Sequence, residues 1–286
     1  MSTLQSFTFQ ELKSLLPNRA KNSHKGNFGK VLICAGSPGM GGAGILASEA
    51  SLFCGSGLVT LTTDNSNVGA SLLRNPEVMT TGIDMSEDDG IDLKIKDHSV
   101  ILYGPGIANT AFTKTILDNI LRSSNDSKII LDAGALHIMA SSKPTIIKES
   151  NKTILMTPHP GEAAILLNIS VEEVQRDRLH AAKQIAQIYG AAIVILKGME
   201  TIIVDSKTSE SFISTNGGPE LATGGTGDVL AGVLSALIAQ GLDIKNASLI
   251  AVAAHAEAGR KFKEEIGEIG LNASSLIPII RQLINQ

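Results

Sequence analysis

Ala222-Thr223-Gly224-Gly225-Thr226-Gly227-Asp228, running into Val229-Leu230-Ala231-Gly232, is the stretch whose reading decides the fold. Three glycines fall within the four positions 224–227, directly ahead of a long Ala/Leu run. Glycine backbone can aim successive N–H groups at one point. A helix start adds free N–H groups and a partial positive charge. Gly224, Gly225, Thr226 and Gly227 therefore read as an anion hole, with Asp228 on the first helical turn beside it. An acid placed there can take the proton of a hydroxyl that attacks a phosphoryl group. The plainer reading is a glycine-rich turn with an acidic helix start.

Working outward, short aliphatic runs alternate with helical segments. Strand-length runs are predicted at Lys30–Ala35, Leu58–Thr62, Ser99–Tyr103, Lys128–Leu131, Thr153–Met156 and Ala192–Leu196. Several are continuously apolar, the pattern of strands covered on both faces. Helices are predicted at Thr8–Leu16, Gly44–Cys54, Ala111–Ser123, Val171–Tyr189, Gly227–Gln240, Ala247–Phe262 and Ala273–Ile284. Thr8 with Glu11 fits a capping box, and Pro17 stops the first of them. Thr201–Val204 and Ser211–Ser214 read as a late hairpin turning at Asp205–Glu210. This alternation predicts an α/β fold with a mostly parallel central sheet and helices on both faces. No linker divides the chain, so residues 1–286 are expected to form one domain. In such sheets ligands sit at the carboxyl ends of strands. There lie Gly104-Pro105-Gly106, Asp132-Ala133-Gly134, Thr157-Pro158-His159-Pro160-Gly161-Glu162 and Lys197-Gly198.

Composition narrows the function classes. Hydrophobic residues make up 43% and aromatics only 3%, so the core must be aliphatic. The formal net charge is −4 and no basic block appears, which argues against a nucleic-acid partner. The longest apolar stretch, Val229–Ala239, is too short for a membrane span and is interrupted by Gly232 and Ser235. Cys34 and Cys54 have no metal-site spacing and read as buried thiols. The N-terminus shows no secretory pattern, so the cytoplasm is the expected compartment.

The string from Ala222 to Gly232 resembles the signature of the ribokinase-like superfamily. Within it, the chain is similar to the ADP-dependent NAD(P)H-hydrate dehydratases. The likeness is carried in order by five groups of residues. They are Lys25-Gly26-Asn27-Phe28-Gly29-Lys30-Val31-Leu32, Gly42-Ala43-Gly44 through Ser56-Gly57-Leu58-Val59-Thr60, Gly104-Pro105-Gly106, Thr157–Glu162, and Lys197-Gly198-Met199-Glu200-Thr201. The resemblance implies a repair activity: a nucleoside polyphosphate, ADP or in some members ATP, phosphorylates the hydroxyl of hydrated NADH or NADPH. Phosphate then leaves, restoring the ring double bond. Hydroxide leaves poorly and phosphate leaves well, so the phosphorylation lowers the elimination barrier. By the same resemblance, Ala43, Gly106, His159 and Asp228 contact the hydrate. Lys197, Gly198, Met199, Glu200, Thr201 and Gly227 contact ADP or AMP. Asp228 is the base, Mg2+ accompanies the nucleotide, and the chain forms a homo-oligomer, with a tetramer as one form. The resemblance also implies a stand-alone dehydratase without an added epimerase domain.

Several residues stay open at this stage. Glu162 reads equally as a magnesium holder or as an acid at the start of the Ala163-Ala164-Ile165-Leu166 run, and no metal ligand is assigned. His255, in Ala253-Ala254-His255-Ala256, reads as a core or interface histidine. Where the family often shows a second acid and an Asn, this chain has Gly134 and His137, so the loop after Asp132 receives no role. Pro219-Glu220-Leu221-Ala222 replaces the usual Gly-Met, a change read as one of loop shape. Two rivals share the anion hole. One is a ribokinase-like kinase for a vitamin or other small alcohol; the other is a nucleotide sensor without turnover.

Overall fold

The computed structural model describes residues 4–85, 95–123, 126–141 and 152–286. Its centre is a ten-stranded sheet: β1 (Leu4–Ser6), β2 (Lys30–Cys34), β3 (Leu58–Asp64), β4 (Met79–Ile83), β5 (Val100–Tyr103), β6 (Lys128–Leu131), β7 (Thr153–Met156), β8 (Ile193–Leu196), β9 (Thr201–Asp205) and β10 (Ser211–Ser214). The spatial order is β1-β10-β9-β8-β7-β6-β5-β2-β3-β4. Both pairings of β9 are antiparallel and every other pairing is parallel, so β9 alone runs backwards. Among the described residues the α-helices are α1 (Phe9–Leu12), α2 (Gly41–Phe53), α3 (Val68–Arg74), α4 (Ala111–Arg122), α5 (Gly134–Ser141), α6 (Pro160–Leu167), α7 (Val171–Arg176), α8 (Arg178–Tyr189), α9 (Thr226–Ala239), α10 (Ile244–Glu265) and α11 (Ala273–Ile284).

Strand side chains alternate between two cores, as the period of two requires. Val31 and Ile33 face α2, α9, α10 and α11, while Leu32 face the other way with Cys34, against α4, α5, α6 and α8. Burial on both faces explains the continuous apolar runs. Both cysteines are buried, and burial pushes each thiol up to about 12. No helix among the described residues is long and apolar enough to cross a membrane.

Helices α2 and α9 lie side by side and parallel. Leu46 meets Gly225, Gly232 lies against Ala47 and Ala50, and Ser235 Oγ donates to Ser51 Oγ at 3.1 Å. Their amino ends therefore point to the same side of the molecule, the side where the parallel strands end. The Lys25–Gly29 segment lies at the opposite end. Lys25–Phe28 form a 3-10 turn that His24 and Asn27 cap reciprocally. Gly29 there approaches the last turn of α9 so closely that a Cβ would sit 2.2 Å from the Ala239 carbonyl oxygen. Lys25 and Gly29 in turn press on Gly57, ahead of β3.

Four expectations are corrected. The helix predicted over Thr8–Leu16 is one short turn, α1, with its Thr8–Glu11 capping box, followed by a 3-10 turn at Lys13–Leu15. The helix predicted over Val171–Tyr189 is two helices. Asp177 leaves the helical region (φ −145°, ψ 78°), and its carboxylate accepts from the His180 N–H to start α8 afresh. The helix expected from Gly44 begins at Gly41, and that expected from Ala247 begins at Ile244. Strands β1 and β4 were not anticipated.

Candidate active site

The sheet order sets the carboxyl ends of β8, β7, β6, β5 and β2 side by side. Their loops carry Lys197, Thr157–Glu162, Asp132, Gly104–Gly106 and, at the start of α2, Ala43. Strand topology alone thus gathers residues spread over more than half the chain.

The Gly224–Gly227 loop caps α9. Gly225 stands at the N-cap with φ 92°, a left-handed conformation, and no side chain bonds the first turn of the helix. A Cβ at Gly225 would meet Leu46 at 2.7 Å, so shape and conformation both require glycine there. Thr226 does not face a ligand with its hydroxyl: Oγ1 donates to the carbonyls of Leu221 and Thr223, both at 3.0 Å, and so pins the loop. Its carbonyl accepts from His255 Nε2 at 2.9 Å, which fixes the proton of that ring on Nε2. His255 is buried, and burial lowers its pKa to about 4, so the ring is neutral. It is the core histidine the sequence suggests, and it also lines the adjacent cleft. Gly224 is exposed, while Gly225, Gly227 and Asp228 are half-buried. The helix start is open to ligand.

Four ionisable groups meet beside this start. Lys197 Nζ lies 2.7 Å from Asp132 Oδ1 and 4.0 Å from Glu162 Oε2, with its side chain 16% exposed. A Cβ on Gly227 would be 3.3 Å from the same Nζ, so the ammonium abuts the start of α9. Asp132 is 1% exposed, and its Oδ1 also accepts from Thr157 Oγ1 at 2.7 Å. Burial opposes the charge on Lys197, but Asp132, Glu162 and Asp228 outweigh it and hold the ammonium above its ordinary range. Burial acts on Asp228 in the opposite sense. With Asp132 adding repulsion and Lys197 only partly offsetting both, its carboxyl rises to about 7. A general base poised near the working pH is the most effective kind.

His159 is the N-cap of α6. Its Nδ1 accepts from the N–H groups of Gly161 (3.0 Å) and Glu162 (3.3 Å), and Glu162 Oε2 accepts from the His159 N–H at 2.8 Å. Glu162 is thus the helix-start acid, and it also faces Lys197. The ring acceptor of His159 is used locally. Its Nε2, left with the proton, points at Glu162 Oε1 at 3.4 Å. Ala43 and Gly106 are neighbours: a Cβ on Gly106 (φ 64°) would lie 3.0 Å from that of Ala43.

A cleft of about 460 Å³ opens next to Lys197 and Gly227. Its walls include Leu221, Leu230, Val252 and Ala256, and its rim includes Gly198, Met199 and Thr201. Apolar walls with a cationic end suit a nucleoside joined to phosphate. Of the five residues Lys197–Thr201 expected to contact nucleotide, Glu200 does not line this cleft; its carbonyl instead accepts from Arg178. Sequence reasoning missed Asp132 as the partner of Lys197, because the two are 65 residues apart and no local signal links them. Among the described residues no group of three metal-ligating side chains forms.

A mostly parallel open sheet, with a glycine-rich turn and an acid at one helix start, gives this chain a ribokinase-like fold. Residues 31–282 match the family model described as NAD(P)H-hydrate dehydratase, and the chain belongs to that family. It is 34% identical to the ADP-dependent (S)-NAD(P)H-hydrate dehydratase of Neisseria meningitidis, over 94% of this chain and 89% of that one. It is 37% identical to the bifunctional NAD(P)H-hydrate repair enzyme Nnr of Coxiella burnetii, over 95% of this chain and 53% of the relative. The chain thus spans about half the length of that bifunctional relative. The crystal structure of the ADP/ATP-dependent NAD(P)H-hydrate dehydratase of Bacillus subtilis, co-crystallised with ATP/Mg2+, superposes with a TM-score of 0.87 at 28% identity, covering 98% of both chains.

A base role for Asp228 carries a pH dependence. A base works ionised, so kcat/KM is then expected to climb about tenfold per pH unit below about 7 and to level off above it. A profile flat from pH 5.5 to 8.5 would exclude Asp228 as the group whose ionisation limits the reaction.

Proposed function

We propose that this chain dehydrates (S)-NADH hydrate and (S)-NADPH hydrate at the expense of ADP, yielding AMP and phosphate. The observation that carries the reading is the juxtaposition of Asp228, Lys197 and the open start of α9 at the mouth of an aliphatic cleft. The cleft takes the nucleoside, with Gly198, Met199 and Thr201 at its rim. Lys197 and the amides of Gly224, Gly225, Thr226 and Gly227 hold the transferring phosphoryl group. Ala43, Gly106 and His159 line the side from which the hydrate enters. Asp228 takes the proton of the ring hydroxyl as its oxygen bonds to the β-phosphorus of ADP and the bond to AMP breaks. Elimination then breaks the ring carbon–oxygen bond and expels phosphate, while the adjacent ring carbon gives its proton to water and that C–H electron pair becomes the double bond between the two carbons.

A magnesium ion fits these residues, since Mg2+ keeps several waters and takes one or two carboxylates plus nucleotide phosphates. Asp132 and Glu162 supply buried carboxylates beside the phosphate position, and the ion would neutralise phosphate charge there. The ten-stranded sheet supports reading residues 1–286 as one domain. The same reading makes the chain a cytoplasmic homo-oligomer, which sedimentation tests directly.

The activity test mixes the protein with hydrated NADH and either ADP or ATP. The expected result is recovery of reduced-nicotinamide absorbance with one AMP and one phosphate formed per NADH. A stable phosphorylated product with no absorbance recovery would mark a small-molecule kinase instead. Silence with both nucleotides would overturn the proposal.

A further inference from the structure

We propose that Arg178 is a positioning residue for the nucleotide, acting through the loop that joins β8 to β9. These strands are antiparallel, and only Lys197–Glu200 connect them. Two of the four connecting residues adopt left-handed backbone, Gly198 at φ 135° and Glu200 at φ 60°. Such a loop costs conformational energy unless its surroundings hold it. Arg178 does so. One guanidinium nitrogen donates to the carbonyls of Leu196 and Lys197, each at 3.1 Å. The other donates to the carbonyls of Met199 and Glu200. A Cβ at Gly198 would stand 3.1 Å from this guanidinium, so the loop is moulded around it.

Local sequence explains how the side chain gets there. The break at Asp177 makes Arg178 the first residue of α8 rather than a mid-helix residue. From there it reaches across the end of β8, to a loop about twenty residues further along the chain. The electrostatic result bears on phosphate. Two of the four residues whose carbonyls Arg178 holds, Lys197 and Met199, line the cleft, and their carbonyl oxygens turned inward would repel a polyphosphate. Turned onto Arg178, their negative ends are neutralised, and the loop directs Lys197 towards Asp132 and the anion hole. The fork geometry matters, because a lysine ammonium is a point charge that cannot span two pairs of carbonyls.

The inference rests on the reading that this loop contacts nucleotide, so binding and turnover are measured separately. ADP binding to wild type, Arg178→Lys and Arg178→Ala is followed by calorimetry, beside steady-state kinetics with hydrated NADH. The expected result is weaker ADP binding, about tenfold for Arg178→Lys and about a hundredfold for Arg178→Ala. KM for ADP should rise in step, with KM for the hydrate within twofold of wild type. Added guanidinium ion should restore ADP affinity to Arg178→Ala and leave Arg178→Lys unchanged. If the alanine variant does not fold, the lysine variant carries the test through the split between the two KM values. ADP affinity within twofold of wild type in the variants would overturn the inference while leaving the proposed function standing. So would a parallel rise in both KM values. A wild-type protein that binds no ADP would overturn both.

Discussion

Replacing Asp228 by Asn is expected to lower kcat about a thousandfold, while ADP still binds and the protein becomes more stable above neutral pH. Removal of a general base costs about two to four orders of magnitude. Asn keeps the volume and the hydrogen-bonding shape, so the loop and its amides survive. The stability gain follows from linkage. In the folded chain the carboxyl of Asp228 sits at about 7, above its ordinary 3.8. The folded state therefore binds this proton more tightly than the unfolded chain does. That contribution is complete below pH 4 and is lost as pH rises through 7. Asn never pays the ionisation cost, so the variant should exceed wild type by about 2–4 kcal/mol at pH 8 and match it near pH 4. Denaturant melts at both pH values, beside turnover, provide the check. A variant that keeps full turnover, or one less stable at pH 8, would remove Asp228 from the role of a strained base.

Lys197→Met should have the second-largest effect, with the opposite sign for stability. It leaves Asp132 and Glu162, 1% and 4% exposed, without their counter-charge. Breaking a buried pair from one side costs about 3–5 kcal/mol. Asp228 also loses the one neighbour that lowers its pKa, so the rising limb of the pH profile should move above 7. Adding Asp132→Asn to Lys197→Met removes the stranded charge and keeps an acceptor for Thr157. This double variant should regain much of the lost stability but not the turnover, because the phosphate has lost its cation. Urea melts and single-turnover rates on the three proteins separate the two roles. Equal stability of Lys197→Met and wild type would show that the pair contributes nothing to folding.

The central strands were legible because each is a continuous aliphatic run covered on both sides, as with Ile129–Leu131 and Ile193–Leu196. The edges were not. Leu4–Ser6 is too short to show a period, and Met79-Thr80-Thr81-Gly82-Ile83 is half-exposed and interrupted by glycine. The division of the helix predicted over Val171–Tyr189 rests on one residue, Asp177, which sits within an otherwise helical pattern. The anion hole and Asp228 were readable because glycine density and a helix start are local signals. The charge cluster was not, since Asp132, Glu162 and Lys197 meet only after three strands have been laid side by side. Arg178 was hidden for the same reason: every bond of its guanidinium is made to a distant main chain.

The Lys25–Gly29 segment sits at the far end of the sheet from the candidate site. Strands of four to seven residues separate it from the site's rim by about 15–20 Å. The segment fastens the back of the molecule, wedging the amino ends of β2 and β3 against the last turn of α9. A side chain at Gly29 or Gly57 would pry that seam apart, so its cost would fall on folding rather than on the rim loops.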